Sequence, residues 1–493
     1  MDTIGFSRPG GDITTLLDLT PRDVQDNEFT PLNAEQTFWL PDQTRRLRPF
    51  SLTIQPFPFR GPTAFGQRFT FDLGSVTCGD MLQSAVVQID LGHWLSDTAI
   101  LRFQAGTYDY PTRDGNYVDS PWFYANSLGS VILQKAEFEV DDQTLEVLDG
   151  DFLNTTSLLF QDINSQYGFA ADGLGRIPLT QLNATPVAKP YPTPSGTLFI
   201  PLPFFFQRTR LQECFPLLAC KEKTVRIHIT LRPFAECVRK LSGRRSACDE
   251  TPLNKSFAVI NTQGNLNIEE TLTTSIAEPK FKNLQLITYA YHTNGLMRTR
   301  ILRDPFEIMT RVVNTFDFSE PLKYLTNKTS SDRIQVQLPL ETNHPMEEII
   351  WFVRRKATAN NNEWTNYSAV TTSEYDPVYN PFRPLLVQAQ IQLNGVELVK
   401  AEEQWFRQHI SKKHKGGAAA YFSYLYGYSF AKHPAEHQPS GTANASRLQS
   451  VRLTLDIAPP GGSYEQDWEV KVFVISLQWF RFQDGICNRM FNT

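Results

Sequence analysis

Apolar and polar positions alternate along most of this chain with a period of two, the mark of strands that bury one face. Gln67-Arg-Phe-Thr-Phe-Asp-Leu73 alternates, as does the stretch from Leu82 to Leu91. From Ile132 to Val147 the pattern folds back on itself. Ala136, Phe138 and Val140 fall on one face, Glu137 and Glu139 on the other, and Asp141 and Asp142 supply a hairpin turn. Further strands are expected around 284–292, 307–318, 333–340, 348–355, 386–400, 421–430, 448–457 and 468–482. The last is apolar on both faces for part of its length, which predicts a central strand covered on both sides or one buried in a subunit interface. Long polar loops at 104–125 and 162–195 separate strands of the first half. Residues 1–45 read as an extended arm: polar, with Pro9, Pro21, Pro31 and Pro41, and one short helical pattern from Leu16 to Val24.

The hairpin recurs. Ala136-Glu-Phe-Glu-Val-Asp-Asp-Gln-Thr-Leu145 aligns without gaps onto Ala389-Gln-Ile-Gln-Leu-Asn-Gly-Val-Glu-Leu398, a shift of 253 residues (389 − 136), and the same shift sets Phe152 on Trp405. This predicts two similar domains. The charged segment 235–248, with its Gly and Ser, reads as a connector. The expected division is an arm 1–45, a first domain 46–235, a linker 236–256 and a second domain 257–493.

Two segments carry a resemblance. Near the end, Tyr428-Ser-Phe-Ala431 is followed by Pro439-Ser-Gly-Thr-Ala-Asn-Ala-Ser-Arg447, a tight polar turn that feeds the strand ending at Ile457. Upstream, Leu198-Phe-Ile-Pro-Leu-Pro-Phe-Phe-Phe-Gln207 precedes Val225-Arg-Ile-His-Ile-Thr-Leu231. The order and place of both resemble the major capsid proteins of nucleocytoplasmic large DNA viruses, of the iridovirus and phycodnavirus type. The signature residues are Ile200, Pro201, Pro203 and Phe204, then Pro439, Ser440, Gly441, Thr442, Asn444, Ser446 and Arg447. The resemblance implies an all-β fold of two tandem eight-stranded jelly rolls with long loops, the Ile200 strand closing the first roll. It implies a structural protein, not an enzyme: a homotrimer that forms a pseudo-hexameric capsomer of an icosahedral virion capsid, assembled in the host cytoplasm. Implied partners are neighbouring capsomers, minor capsid and penton proteins and an inner viral membrane, with glycans on outer loops. The first forty or so residues carry no part of the pattern.

Composition sharpens this picture. A chain of 493 residues exceeds one hydrophobic core, and 35 Phe, 17 Tyr and 32 Pro favour sandwiches over helical bundles. A net charge of −5 excludes a coat that neutralises phosphates, so no direct nucleic-acid contact is expected. The small basic cluster Arg45, Arg46 and Arg48, and Lys412-Lys-His-Lys415, read as solvated charge. The start lacks a basic region followed by an apolar run, and no apolar run reaches a membrane span, which points to synthesis in the cytosol. Six cysteines show no Cys-x-x-Cys spacing. Cys237 and Cys248 flank a basic loop and are candidates to pair in an oxidised particle, against a default of free, buried, reduced thiols.

Catalytic patterns are missing: no Gly-x-Ser-x-Gly, no phosphate loop and no His-Glu-x-x-His. His433 and His437 are barred from a shared helix face by Pro434 and Pro439, and with His409 and His414 they are expected at the surface. Asp149 with Asp151, or Glu402 with Glu403, can be posed as a glycosidase pair, but without a recognisable cleft they are expected in solvated turns. No cofactor or metal is expected. Six Asn-x-Ser/Thr sequons occur, at Asn154, Asn183, Asn254, Asn327, Asn366 and Asn444. Two alternatives stay open: a minor capsid protein of the same fold, and a carbohydrate-binding or carbohydrate-cleaving sandwich stacking sugars on Tyr108, Tyr110, Trp122 and Tyr124.

Overall fold

A computed structural model describes residues 50–91, 122–161, 173–176, 196–207, 214–221, 223–241, 250–252, 257–260, 266–270, 281–320, 333–360, 362–371, 382–414, 424–434, 436, 438–458 and 468–490. The alternating stretches form strands. Before the helix Gly295–Arg303 come β1 (Phe50–Pro58), β2 (Arg68–Leu73), β3 (Met81–Leu91), β4 (Trp122–Tyr124), β5 (Leu133–Val140), β6 (Gln143–Asp149), β7 (Thr197–Pro201) and β8 (Val225–Leu231). These continue as β9 (Val238–Leu241), β10 (Glu250–Pro252), β11 (Phe257–Ile260), β12 (Leu266–Glu270) and β13 (Phe281–Thr293). After the helix come β14 (Phe306–Glu320), β15 (Ile334–Pro339), β16 (Pro345–Arg355), β17 (Leu386–Leu393) and β18 (Val396–Glu402). The last are β19 (Tyr426–Ser429), β20 (Ala443–Asn444), β21 (Val451–Ile457), β22 (Trp468–Gln483) and β23 (Ile486–Arg489).

Eight strands of the first set make two four-stranded sheets, β1-β13-β3-β7 and β2-β8-β5-β6. Eight of the second set repeat the plan as β14-β22-β16-β19 and β15-β21-β17-β18, with β20 and β23 added at the first of these. Numbering each set of eight in chain order, both lobes read 1-8-3-6 and 2-7-4-5. The chain crosses between facing sheets except at one hairpin, which is the jelly-roll arrangement. Each sheet turns its apolar face inward: in β3, Leu82, Ala85, Val87, Ile89 and Leu91 are buried.

The 253-residue shift is structural. It carries β5 onto β17, β6 onto β18, and the start of helix Gly150–Leu159 onto that of helix Glu403–Lys413. The hairpin turns coincide as well. Asp141 and Asp142 (φ 52° and 60°) match Asn394 and Gly395 (φ 53° and 78°). Two successive positive φ values are what a two-residue hairpin turn demands, and Asp, Asn and Gly tolerate them.

Pairing moves one strand and the change of lobe. The strand around 284–292, expected in the second domain, is β13, which pairs with β1 and β3 of the first. Segment 235–248 is accordingly no linker at its start: it holds helix Phe234–Cys237 and β9, which joins β4 and β10 in a small sheet. Charge, Gly and Ser mark an excursion between the seventh and eighth strands as readily as a domain boundary, and the excursion wins. The lobes change between Thr293 and Phe306. For the same reason β7 is the sixth strand of its roll and does not close it. The expected strand 386–400 splits into β17 and β18, and the described part of the expected strand 421–430 holds β19. The body of the chain begins at Phe50. The arm, its helical pattern and its arginines lie outside the described residues.

Candidate functional site: the seam between the lobes

With no catalytic constellation to follow, the informative chemistry lies where the first lobe meets the second. Asp149 caps helix Gly150–Leu159 by accepting from the Phe152 N–H at 2.7 Å. Gly150 is required at its start, because a Cβ there would stand 2.2 Å from the Ser130 carbonyl oxygen. All ten residues of this helix are buried, although Asp151, Asn154, Thr155, Thr156 and Ser157 are polar. Thr155 and Thr156 donate back to the Asp151 and Leu153 carbonyls. Asp151 and Asn154 look outward, to the second lobe.

There the Arg354 guanidinium of β16 grips Asp151 with two nitrogens, at 2.8 and 3.2 Å, and also donates to Glu469 and to the Trp364 carbonyl. The Lys471 amine of β22 reaches Asp149 at 2.8 Å, Asp151 at 2.9 Å and Asp317 at 3.4 Å. Burial pushes the Asp151 carboxyl up, but Arg354 and Lys471 outweigh it and hold it well below the carboxylate range. Burial wins at Asp149, whose carboxyl is raised despite Lys471. On Lys471 burial pulls the amine down, and the two carboxylates more than reverse it. A buried ion cluster of this kind is costly to break from one side, because the deserted charge stays buried.

Around the cluster the seam is apolar and well bonded. Phe152 meets Phe473 edge-on with centroids 5.1 Å apart. Asn154 donates to the Tyr367 hydroxyl at 3.0 Å and accepts from Arg176 at 2.9 Å, while Tyr367 stacks on Phe352. Burial pulls the Arg176 guanidinium down to about 10. Glu146, buried in β6, accepts from the Phe205 N–H at 2.7 Å and from the Val313 N–H of β14 at 3.2 Å. One carboxylate thus ties a first-lobe loop to a second-lobe strand.

The two signature segments occupy one topological place, the end of the sixth strand of each roll and the loop after it. In the first, Ile200 is buried in β7, Pro201 is half-buried at its end, Pro203 follows, and Phe204 packs on Phe138 at 5.5 Å. Their neighbour Phe205 crosses the seam and stacks on Phe480 at 4.9 Å. In the second, Ser440 ties the loop by accepting from the His433 N–H at 2.8 Å and donating to the His433 carbonyl at 3.0 Å. Gly441, at φ 154°, admits no side chain, since a Cβ would sit 2.6 Å from the Phe430 carbonyl oxygen. Asn444 pairs with Pro345 and accepts from the Ser446 N–H, and Ser446 donates to the Asn343 carbonyl. Pro439 is half-buried; Thr442 and Arg447 are exposed.

Other calls change. Asp149 and Asp151 are no solvated turn: both are held by Lys471, which leaves no spare acid–base pair. Glu403 is likewise paired, with Arg407 at 3.1 Å. His414 is buried and bonded to Glu348 at 2.9 Å, and His409 is half-buried between Trp405 and Tyr428, so neither is a surface histidine. Lys413 donates to the Ala431 and Lys432 carbonyls. Tyr124 is buried in β4, out of reach of a sugar; Tyr108 and Tyr110 lie outside the described residues. Asn154 and Asn366 are buried and bonded and cannot serve as glycan acceptors in the folded chain. Cys237 is buried, and Cys248 lies outside the described residues. Sequence reasoning missed Arg354 and Lys471. The available signal was charge, Arg354 in β16 and Lys471 in β22, directly beside runs that are apolar on both faces.

Among the described residues, no group of His, Cys, Asp and Glu could hold a metal, and no helix is long and apolar enough to cross a membrane. Two family profiles match the two halves: "Major capsid protein N-terminus" over residues 37–262, and "Large eukaryotic DNA virus major capsid protein" over residues 306–486. The chain is 23% identical over 380 residues to the major capsid protein of Pyramimonas orientalis virus, covering 73% of this chain and 76% of the relative. Identity to the major capsid protein of Paramecium bursaria Chlorella virus 1 is 24% over 343 residues, 66% of each chain. Among solved structures, PBCV-1 VP54 superposes with a TM-score of 0.64 at 16% identity, covering 93% of this chain and all of that one. The Faustovirus major capsid protein gives 0.63 at 13%, covering 93% and 94%.

Proposed function

Because the chain belongs to the major capsid protein family of large eukaryotic DNA viruses, with the double jelly-roll fold and a structural role in the virion capsid, we propose that it builds the shell as a homotrimer. Three two-lobed chains close into a ring of six similar lobes, a pseudo-hexameric capsomer that tiles a hexagonal lattice at only threefold symmetry. The observation that carries this reading is the repeat of one strand order, 1-8-3-6 and 2-7-4-5, in both lobes. Lobes of equal plan are what a threefold object needs to imitate a sixfold one.

The reading divides the chain into a first roll from Phe50 to Thr293 and a second from Phe306 onward, with the arm before them. The signature residues act by shape: Ile200 and Phe204 anchor the first inter-strand loop in the core, and Ser440, Gly441, Asn444 and Ser446 fix the second. Neighbouring capsomers, minor capsid and penton proteins and an inner membrane are the partners, and assembly proceeds in the host cytoplasm. Outer-loop glycans, where present, avoid Asn154 and Asn366.

Light scattering of the purified chain tests the trimer. A stable species at three times 56.2 kDa, about 169 kDa, that images as a six-lobed ring is expected. A folded chain that stays monomeric at high concentration overturns the reading. Copy number in purified particles separates a major from a minor component.

A further inference from the structure

The seam inside the chain has a cover and a covered face. The cover is β6 with helix Gly150–Leu159 of the first lobe. The covered face is the outward side of the β14-β22-β16-β19 sheet, where Arg354, Lys471 and Phe473 meet it. Since both lobes follow one plan, each of these parts has a counterpart elsewhere in the molecule.

The counterpart of the covered face is the outward side of the β1-β13-β3-β7 sheet. It is apolar and bare. Phe50, Leu52 and Ile54 are 57%, 51% and 53% exposed, and Phe199 is exposed at the other edge. Strand register makes the band continuous: Leu52 lies beside Tyr291, Ile54 beside Tyr289, and Pro56 beside Ile287, which in turn faces Val86. A contiguous apolar patch of this kind on a sheet marks a contact surface.

The counterpart of the cover is β18 with helix Glu403–Lys413. The 253-residue shift places Leu398 on Leu145 and Trp405 on Phe152. Leu145 and Phe152 are buried at the seam; Leu398 is 44% and Trp405 41% exposed. Inward positions behave alike in both lobes, Phe406 on Leu153, each buried in its own core. Trp405 stands in an aromatic stack with His409 and Tyr428, at 4.8 and 5.3 Å between successive rings. A rigid aromatic anchor of this sort is the usual centre of a binding hot spot.

We propose that the bare β1-β13-β3-β7 face receives the β18 and Trp405-helix cover from a second copy of this chain. The inference rests on the homotrimer reading and names the surfaces that close it. The contact is heterologous, head to tail, because face and cover lie on different lobes. It also differs chemically from the internal seam. Counted from the ladder ends, Arg354 opposite Glu469 becomes Asp90 opposite Asn283, and Phe352 opposite Lys471 becomes Gln88 opposite Gln285. Gln285 donates to Gln88 at 2.7 Å, so the face presents a bonded amide pair where the seam holds ions. Contact between copies therefore lacks the Arg354–Lys471 ion cluster of the seam and rests on the apolar band, with Trp405 at its centre.

The experiment uses the full chain in three forms: wild type, Trp405→Asp on the cover, and the double variant Leu52→Asp, Ile54→Asp on the face. All are measured by light scattering, with thermal melting as the check on folding. Each variant is expected to stay folded and run as a monomer where wild type is trimeric, a loss of at least about 30-fold in affinity per contact. An equimolar mixture of the two is expected to give a dimer of about 112 kDa, twice 56.2 kDa, and no ring, since one good cover and one good face remain. If a variant fails to fold, Leu398→Asp replaces it on the cover and Phe199→Asp on the face. A trimeric wild type with trimeric variants overturns this inference and leaves the capsomer reading standing, as happens if residues 1–49 cover the face instead. Monomeric variants whose mixture stays monomeric also overturn it. A monomeric wild type overturns both.

Discussion

Helix Gly150–Leu159 and helix Glu403–Lys413 begin at equivalent positions, follow equivalent hairpins and anchor equivalent side chains, Leu153 and Phe406, in their own cores. Yet every residue of the first is buried, while the second buries Phe406 and Ile410. The difference is not in helix chemistry, since both carry polar residues outward: Asp151 and Asn154 in one, Gln404 and Arg407 in the other. It lies in what stands beyond. A polar outward face is compatible with solvent and with a buried ion cluster alike, and only the partner element decides.

Substitutions at matched positions break this comparison most directly. Phe152→Ala, which empties a fully buried seam position, should cost about 3–5 kcal/mol in chemical denaturation, whereas Trp405→Ala in the unassembled chain should cost under about 1 kcal/mol. Equal effects would mean the two helices are equivalently packed. Asp151→Asn should cost about 3 kcal/mol, because Arg354 and Lys471 keep Glu469, Asp149 and Asp317 but lose their shared carboxylate. At the matched position, which is exposed, Gln404→Ala should stay within about 0.5 kcal/mol of wild type. Glu146→Gln should cost about 1–3 kcal/mol, since the amide turns a donor toward the Phe205 or Val313 N–H.

Acid sharpens the contrast. The stability that Asp151 contributes is present above the unfolded carboxyl range, about pH 4, and is lost as pH falls through its lowered folded value. Asp149, raised by burial, acts in the opposite sense and is relieved by acid. Lys471, raised, contributes below the ordinary amine range, about pH 10, and fails only as pH rises through its folded value. The stability gap between wild type and Asp151→Asn should therefore narrow from neutral pH toward about pH 2 in denaturation curves. A gap that is constant with pH would place the Asp151 contribution in packing alone. A loss smaller than those at Phe152 and Asp151 belongs to the second signature loop: Gly441→Ala should lower stability by about 1–2 kcal/mol through its clash with the Phe430 carbonyl, seen as a shifted melting temperature.

Much of this was legible from period-two alternation and one internal match. The hairpin from Leu133 to Asp149, its turn at Asp141 and Asp142, and its copy 253 residues on need only local rules, and local rules hold there. Membership of β13 was not legible, because an alternating strand looks the same whichever sheet receives it. The seam was not legible either: Asp149 and Asp151 read as a solvated turn until Arg354 and Lys471, some two and three hundred residues away, are brought beside them. Asn154 matched a sequon and His414 a surface pattern, yet both are buried by long-range contacts to Tyr367 and Glu348. Short-range pattern specifies elements; charge placed by distant strands specifies the joint.

The pairing of β1 with β13 carries a consequence for synthesis. Pro58 and Phe281 are 223 residues apart (281 − 58), and among the described residues β1 pairs with no strand but β13. At about 5–20 residues per second, a nascent chain holds Phe50–Pro58 without its partner for roughly 11–45 s. Through that interval an aromatic, β-prone edge is available to any passing strand. Pro56 and Pro58 remove two of its amide donors, a brake on foreign pairing that leaves the native ladder intact. The first lobe thus finishes folding late, near the moment the second begins to emerge.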